Sequence, residues 1–282
     1  MSKLIFITGV STGLGRAFAQ DALNAGHRVV GTLRNEKQRL EFECLAPGRS
    51  FGRLLDVTDT DAIPALVTDI EESIGAIDVL VNNAGYGVEG TLEESALEEL
   101  YQQFAVNVFG VVAVTKAVLP HLRHRRSGQI IFITSMGGLR AFPGLAYYHG
   151  SKFAVEGIAA TLRQEVAGFG IHVTAVEPGA FRTNWAGSSM HRVDRTISDY
   201  DELMAPIREE RQSRSGMQLG DPAKAGQALL TLIASSTPPG HLILGSDALQ
   251  LVQASRSEMD DEIRAWKDVT LSTDHATSQV QS

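Results

Sequence analysis

The 282-residue sequence predicts an α/β fold: one domain, 1–282, with a doubly wound, mostly parallel sheet of seven strands and helices on both faces. Three observations carry this. Short β-branched, apolar runs recur at Leu4–Thr8, Arg28–Leu33, Ser50–Leu55, Val79–Val81, Gln129–Thr134, His172–Val176 and Leu242–Leu244. They are nearly continuous rather than alternating, as in strands buried on both sides. Longer helical patterns over 14–25, 59–74, 93–122 and 146–168 separate most of them, and no repeat or linker splits the chain.

Taken in order, the first strand runs into "TGVSTGLG" at 8–15, where Gly9, Gly13 and Gly15 precede a helix. A strand, a glycine-rich turn and a helix start make an anion site, because backbone N–H groups and the helix dipole both favour negative charge. The spacing T-G-x-x-x-G-x-G differs from the commoner G-x-G-x-x-G. The second strand ends in Leu33 and Arg34, with no acid until Glu36. A guanidinium there attracts a ribose 2′-phosphate, whereas leucine offers no acceptor to a free ribose hydroxyl. NADP(H) is therefore favoured, with NAD(H) as the alternative. The third strand leads to "DVTD" at 56–59 and the fourth to "NNAG" at 82–85. The helix pattern 93–122 closes on the basic cluster "HLRHRR" at 121–126, whose cations complement the negative end of the helix dipole. The fifth strand ends at Thr134 and Ser135, and the 146–168 helix opens on "AYYHGSK". After the sixth strand, the polar stretch 184–219 reads as a substrate lid. Residues 247–267 have helical spacing, with Leu249, Val252, Met259, Ile263 and Trp266 as packing positions, and 272–282 read as a flexible tail.

Composition narrows the function classes. A net charge of −8 disfavours a nucleic-acid partner. Cys44 is the single cysteine, and the eight histidines lack ligand spacing, so no metal site is expected. The N-terminus lacks the long apolar region of a signal peptide, and the longest apolar stretch, 106–119, falls short of the ~20 residues of a membrane span. The expectation is a cytoplasmic protein without a membrane partner.

Tyr148 and Lys152 lie four residues apart and so share a helix face. A free phenol has a pKa near about 10, and an adjacent ammonium is expected to lower it toward the range of a working base. Such a group exchanges a proton with a carbonyl or alcohol while hydride moves to or from a nicotinamide. Tyr147, five residues from Lys152, falls off that face and reads as pocket wall or packing. Ser135 is favoured over Thr134 as the hydroxyl that holds the substrate oxygen, because neighbouring strand residues face opposite sides.

With these motifs in order along residues 3–245, the sequence resembles the short-chain dehydrogenase/reductase family, in an NADP-leaning subgroup with a C-terminal helical extension. The resemblance implies a Rossmann-like fold and an oxidoreductase interconverting a carbonyl and a secondary alcohol. It implies Tyr148 as general acid/base, Lys152 as its electrostatic partner and ribose ligand, Ser135 as the orienting hydroxyl, and Asn107 as holder of a relay water. For the cofactor it implies Gly9, Ser11, Thr12, Gly13, Leu14, Gly15 and Arg34. Asp56 and Val57 would flank the adenine. Asn83, Ala84 and Gly85 would line the cleft, with Asn82 bracing the sheet. Pro178, Gly179 and Thr183 would lie by the nicotinamide.

Tyr86, Gly137, Phe142 and Trp185 are the expected substrate-pocket residues. Trp185, Met190, Ile197, Tyr200, Leu203 and Met204 make the lid apolar, which favours a moderately hydrophobic small molecule. Arg182, Arg192 and Arg195 are the lid cations that would instead suit a charged substrate. The helical extension suggests a monomer or homodimer rather than a tetramer. A catalytically silent dinucleotide-binding sensor or scaffold protein, and a lyase, epimerase or dehalogenase on the same fold, are the rival readings.

Overall fold

The computed structural model describes residues 2–187 and 189–275. Its elements are β1 (Leu4–Ile7), α1 (Gly13–Asn24), β2 (Arg28–Leu33), α2 (Glu36–Glu43), β3 (Ser50–Leu54), α3 (Ile63–Asp69), β4 (Val79–Asn82), β5 (Gly87–Glu89), α4 (Leu97–Phe104) and α5 (Val111–Arg125). They continue with β6 (Gly128–Ile133), α6 (Ala146–Val166), β7 (Ile171–Pro178), β8 (Met190–Arg192), α7 (Asp201–Ser213), α8 (Pro222–Ala234), β9 (His241–Leu244), α9 (Ser246–Ala265) and α10 (Lys267–Leu271). The main sheet has seven parallel strands in the order β3-β2-β1-β4-β6-β7-β9. The chain winds outward from β1 to β3, then returns to place β4 on β1's other side, with Ile5 opposite both Val29 and Val79. That reversal opens a crevice beyond the strand ends of β1 and β4, where α/β sheets bind ligands.

Strand alternation builds two cores from one sheet. Leu4, Phe6, Leu80, Ile130 and Phe132 face α3, α5 and α6. Ile5, Ile7, Val79, Val81 and Ile131 face α1 and α8. These side chains are buried, each contributing about 1.5–3 kcal/mol of transfer free energy.

Four features depart from the sequence pattern. The 93–122 helix is α4 and α5 joined by a π-helical segment, Ala105–Gly110, and the 59–74 helix likewise becomes α3 followed by a π-helical turn at Ile70–Ile74. The continuous run Leu97–Arg125 is long and apolar enough to cross a bilayer by length and composition. Here Val108, Val111, Val114, Val118 and Leu122 spend its apolar face on the sheet. Two short strands, β5 and β8, pair in parallel and join the 184–219 segment, the expected lid, to the body. Of the packing positions expected in the C-terminal helix only Val252 is buried, together with Ala248; Leu249, Met259, Ile263 and Trp266 are exposed, since only the first turns of α9 meet the body. The basic cluster does close α5, where Arg126 takes a left-handed φ of 52° and Arg125 pairs with Glu71 at 2.6 Å. Residues 276–282 of the expected tail lie outside the described residues.

Candidate active site

A cleft of about 1400 Å³ runs along the strand ends from the glycine turn to the lid. Every residue expected to hold a cofactor lines it: Gly9, Ser11 to Gly15, Arg34, Asp56, Val57, Asn83 to Gly85, Tyr148, Lys152, Pro178, Gly179 and Thr183. Tyr86, Gly137, Phe142 and Trp185 line it too, as does Ser135.

The glycine turn is laced to β4. The Thr8 hydroxyl accepts from the Asn83 and Ala84 amides at 3.0 Å each. The Asn83 side chain returns hydrogen bonds to the Thr8 and Gly9 carbonyls at 2.9 Å. A Cβ on Gly15 would stand 2.3 Å from both Asn83 Nδ2 and the Gly9 carbonyl, so only glycine fits. Gly9 (φ 72°) and Gly13 (φ 62°) adopt left-handed backbone. Thr12 caps α1 without a side-chain hydrogen bond, and the first turn holds no acid. The open amides of α1 therefore suit an anion such as a pyrophosphate. Asp56, further along the cleft near Arg34, accepts from the Thr58 amide and hydroxyl; those bonds, more than the Arg34 charge, hold its carboxyl below the usual range.

At the reacting end, Ser135 is extended and its Oγ accepts from the Gly137 amide at 2.9 Å, which fixes it at the head of a 3₁₀ turn. Tyr148 and Lys152 occupy the first turns of α6 and are 6% and 7% exposed. Lys152 Nζ donates to the Ile133 carbonyl at 2.9 Å and lies 5.9 Å from the centre of the Tyr148 ring. An ammonium has three donors, so two remain for the cleft.

The protonation state differs from the sequence expectation. Trp185 packs on Tyr148 with ring centroids 5.1 Å apart, and Met190 and Leu145 complete the enclosure. Burial pushes the phenol up to about 12, against a smaller opposing pull from the Ser135 hydroxyl. Burial likewise lowers Lys152 to about 8, with the charge of Glu156 acting the other way. Desolvation outweighs the attraction that the Tyr–Lys spacing promised.

Asn107 does not line the cleft. Its side chain bonds the Tyr86 amide and carbonyl at 3.1 and 3.0 Å and Ser151 at 3.0 Å, tying the β4–β5 turn to α6 from within the π-helical segment. Asn82 donates to Thr115 at 2.9 Å, bracing α5 on β4. Thr134 is spent on the Val176 carbonyl, and Tyr147 donates to the Ser95 carbonyl at 2.8 Å, outside the cleft. Both ring nitrogens of His149 are engaged, Nδ1 with the Gly137 carbonyl and Nε2 with the Phe142 amide, so His149 holds the 137–142 loop.

The lid presents different residues from those expected. Trp185 and Met190 face the cleft, but Ile197, Tyr200, Leu203 and Met204 do not; Ile207, Met217 and Leu219 take their place. Met204 turns instead into the Gly144 backbone. Arg182, Arg192 and Arg195 are engaged with the Gln218 carbonyl, Glu89 and Asp201. Sequence reasoning also missed Asp247, at the start of α9, which lines the cleft and accepts from the Ala180 amide at 2.8 Å. Its position in "GSDA", directly after a strand, was the available signal.

A nucleotide-cradling α/β fold with serine, tyrosine and lysine at one cleft defines the class as a dehydrogenase-type oxidoreductase. The chain belongs to the short-chain dehydrogenase family, whose pattern it matches over residues 3–194. It is 37% identical over 97% of its length to the whole of oxidoreductase BOA17 from Botryotinia fuckeliana. It is 35% identical over 94% of its length to a 3-ketodihydrosphingosine reductase from Bacteroides thetaiotaomicron, covering 96% of that protein. A short-chain dehydrogenase from Streptomyces avermitilis superposes with a TM-score of 0.91 at 38% identity, over 97% of this chain and 98% of that one. ElxO, solved with NADP bound, superposes at 0.73 with 26% identity, over 89% of this chain and all of that one.

Proposed function

We propose that the chain is an NADP(H)-dependent reductase that interconverts a carbonyl and a secondary alcohol on a moderately hydrophobic substrate. The observation that carries this reading is the meeting of Ser135, Tyr148 and Lys152 with the glycine turn and Arg34 in one cleft. The nicotinamide supplies or takes the hydride when bound. The residues of the chain manage the oxygen. Ser135 orients the carbonyl, and Tyr148, protonated under its apolar cover, donates the proton that turns an oxygen anion into an alcohol. Lys152 holds cationic charge behind that transfer and offers its remaining donors to a ribose. Asn107 positions the Tyr86 turn against α6.

The substrate end is walled by Trp185, Met190, Ile207, Met217 and Leu219, and the two arginines on the same wall, Arg211 and Arg214, are paired with Glu89 and Glu210, which supports an apolar carbonyl over a small hydroxy acid. The 3-ketodihydrosphingosine reductase among the relatives supports the same class, and NADP-bound ElxO supports the cofactor.

The test follows nicotinamide absorbance with a panel of long-chain and short ketones. The expected outcome is NADPH-dependent reduction that prefers the long-chain members. Tyr148→Phe is expected to lower kcat by about 10²–10⁴, whereas Tyr147→Phe stays near wild type. Equal losses from the two variants would remove Tyr148 from its role, and turnover without nicotinamide would overturn hydride transfer.

A further inference from the structure

Behind the catalytic helix lies a second polar cluster that the proposed reaction does not use. Glu156 sits on α6, one turn beyond Lys152; Glu177 is on β7; His241 begins the edge strand β9. None of the three lines the cleft. His241 Nδ1 is 2.7 Å from Glu177 Oε1 and 3.6 Å from Glu156 Oε2, and one ligand atom from each residue falls within 4.8 Å of the others. The two carboxylates are deeply buried, Glu156 at 7% and Glu177 at 0% exposure. No hydrogen bond of good geometry reaches either Glu156 oxygen or Glu177 Oε2; the Thr134 hydroxyl beside Glu156 and the Leu242 amide beside Glu177 offset only part of the cost of their burial. Two adjacent buried carboxyls with unpartnered oxygens are costly unless something positive stands between them.

We propose that Glu156, Glu177 and His241 bind one divalent transition-metal ion of the zinc type. One imidazole nitrogen and two carboxylate oxygens are a three-ligand set for a tetrahedral ion, whose ligand atoms stand about 3.4 Å apart for bonds of about 2.0–2.1 Å. The two distances from His241 bracket that spacing. A magnesium or calcium ion wants six or more oxygens, which the cluster does not supply. His241 is exposed and gives the ion its way in, leaving the fourth position to water. The sequence hid this site because its ligands come from three elements, at 156, 177 and 241, with no short-range spacing. A bound ion would clamp the edge strand β9 to β7 and α6.

The test titrates the metal-free full-length protein with zinc, reading stoichiometry by calorimetry and Tm by thermal scan. The expected result is one saturable equivalent that is lost in His241→Ala. At a hundredfold excess over Kd the wild-type Tm should rise by about 5–10 °C, and magnesium should leave it unmoved. Cobalt(II) should give the visible band of tetrahedral coordination in the wild type and not in the variant. His241 is exposed and outside the cleft, so His241→Ala should fold and keep its metal-free activity. Equal zinc uptake by wild type and His241→Ala would place the ion elsewhere, for example at the exposed His191–Glu99 pair, and overturn the site. No saturable uptake by the wild type would overturn it as well, leaving the two carboxyls to share a proton.

Discussion

The cofactor side of the cleft and its lid are held by different forces. Around the glycine turn the ties are short, neutral hydrogen bonds between β1, β2 and β4: Thr8 to the Asn83 and Ala84 amides, Asn83 to two carbonyls, the Gly9 amide to Thr32. Across 184–219 the ties are mostly charged. Buried Glu89 on β5 pairs with Arg192 at 2.9 Å and Arg211 at 2.7 Å, and Arg208 donates to the Val193 carbonyl. Glu94 accepts from the Thr196 and Ile197 amides, and Tyr200 donates to Glu93. The first arrangement is closed on itself, with donors and acceptors answered within neighbouring strand ends. The second is a long loop and helix fastened to the body at a few polar points. A site that must cradle one constant ligand and admit a variable one gains from that division.

The sharpest way to break the comparison is to spoil the rigid side. Gly15→Ala puts a Cβ against a carbonyl and an amide that are themselves fixed, so the turn must move. Dinucleotide affinity is expected to fall by at least about a hundredfold, measured by nucleotide fluorescence, with the lid still protected from proteolysis. Glu89→Ala does the opposite. It leaves two arginines without their carboxylate and is expected to cost about 3–4 kcal/mol, toward the lower end for a broken buried pair because both guanidiniums reach solvent. In kinetics it should raise KM for the carbonyl and leave NADPH affinity unchanged. An equal loss of nucleotide affinity would mean the two sides are one unit.

The same division explains what was legible in the sequence. The sheet and the cofactor side could be read because each feature is local: a buried strand must end, and Gly13, Asp56, Asn83 and Ser135 stand where it does. Tyr148 and Lys152 could be read from helix spacing alone. The lid could be located but not oriented. Which face of α7 meets the cleft depends on contacts distant in sequence, among them Arg211 on Glu89 across 122 positions and Arg208 on the Val193 carbonyl, and in this setting Ile207 lines the cleft while Met204 packs at Gly144. The sign of the Tyr148 shift was hidden for the same reason, since the burial comes from Trp185 and Met190 in the lid. Asn107 was found as a position, while its hold on Tyr86 and Ser151 depends on a π-helical segment with no sequence mark.

The buried lysine offers a measurement that joins the two sides. Lys152 gives up its proton at about 8 in the fold, whereas an unfolded lysine holds it to about 10.4. Between those values the unfolded chain binds more protons, so stability rises with pH. The gain from pH 8 to 10 should approach about 2–3 kcal/mol at most, read from urea midpoints. Lys152→Met should flatten the slope. Glu89→Ala, by loosening the cover over the site, should shrink it; a slope that ignores the lid would mean the lysine is buried by the sheet alone.

The finest distinction lies at the far end of the cofactor side, in Arg34. It is exposed at the end of β2, and the nearest acid in sequence, Glu36, is committed to Arg39 through two hydrogen bonds of 2.8 and 2.6 Å. Leu33 is buried, so no carboxylate at this strand end stands ready for a ribose 2′-hydroxyl. A guanidinium beside a 2′-phosphate makes charge-assisted, bidentate hydrogen bonds, and losing them costs about 1.5–3 kcal/mol, or roughly ten- to a hundredfold in Kd. Arg34→Ala should therefore weaken NADPH by that factor and NADH far less, in nucleotide titrations of the same preparation. Because the turn is held by uncharged bonds that Arg34 does not share, the variant should keep its fold and its kcat at saturating cofactor. An unchanged NADPH-to-NADH ratio would move the phosphate contact off this strand end, and with it the physical basis for preferring NADPH.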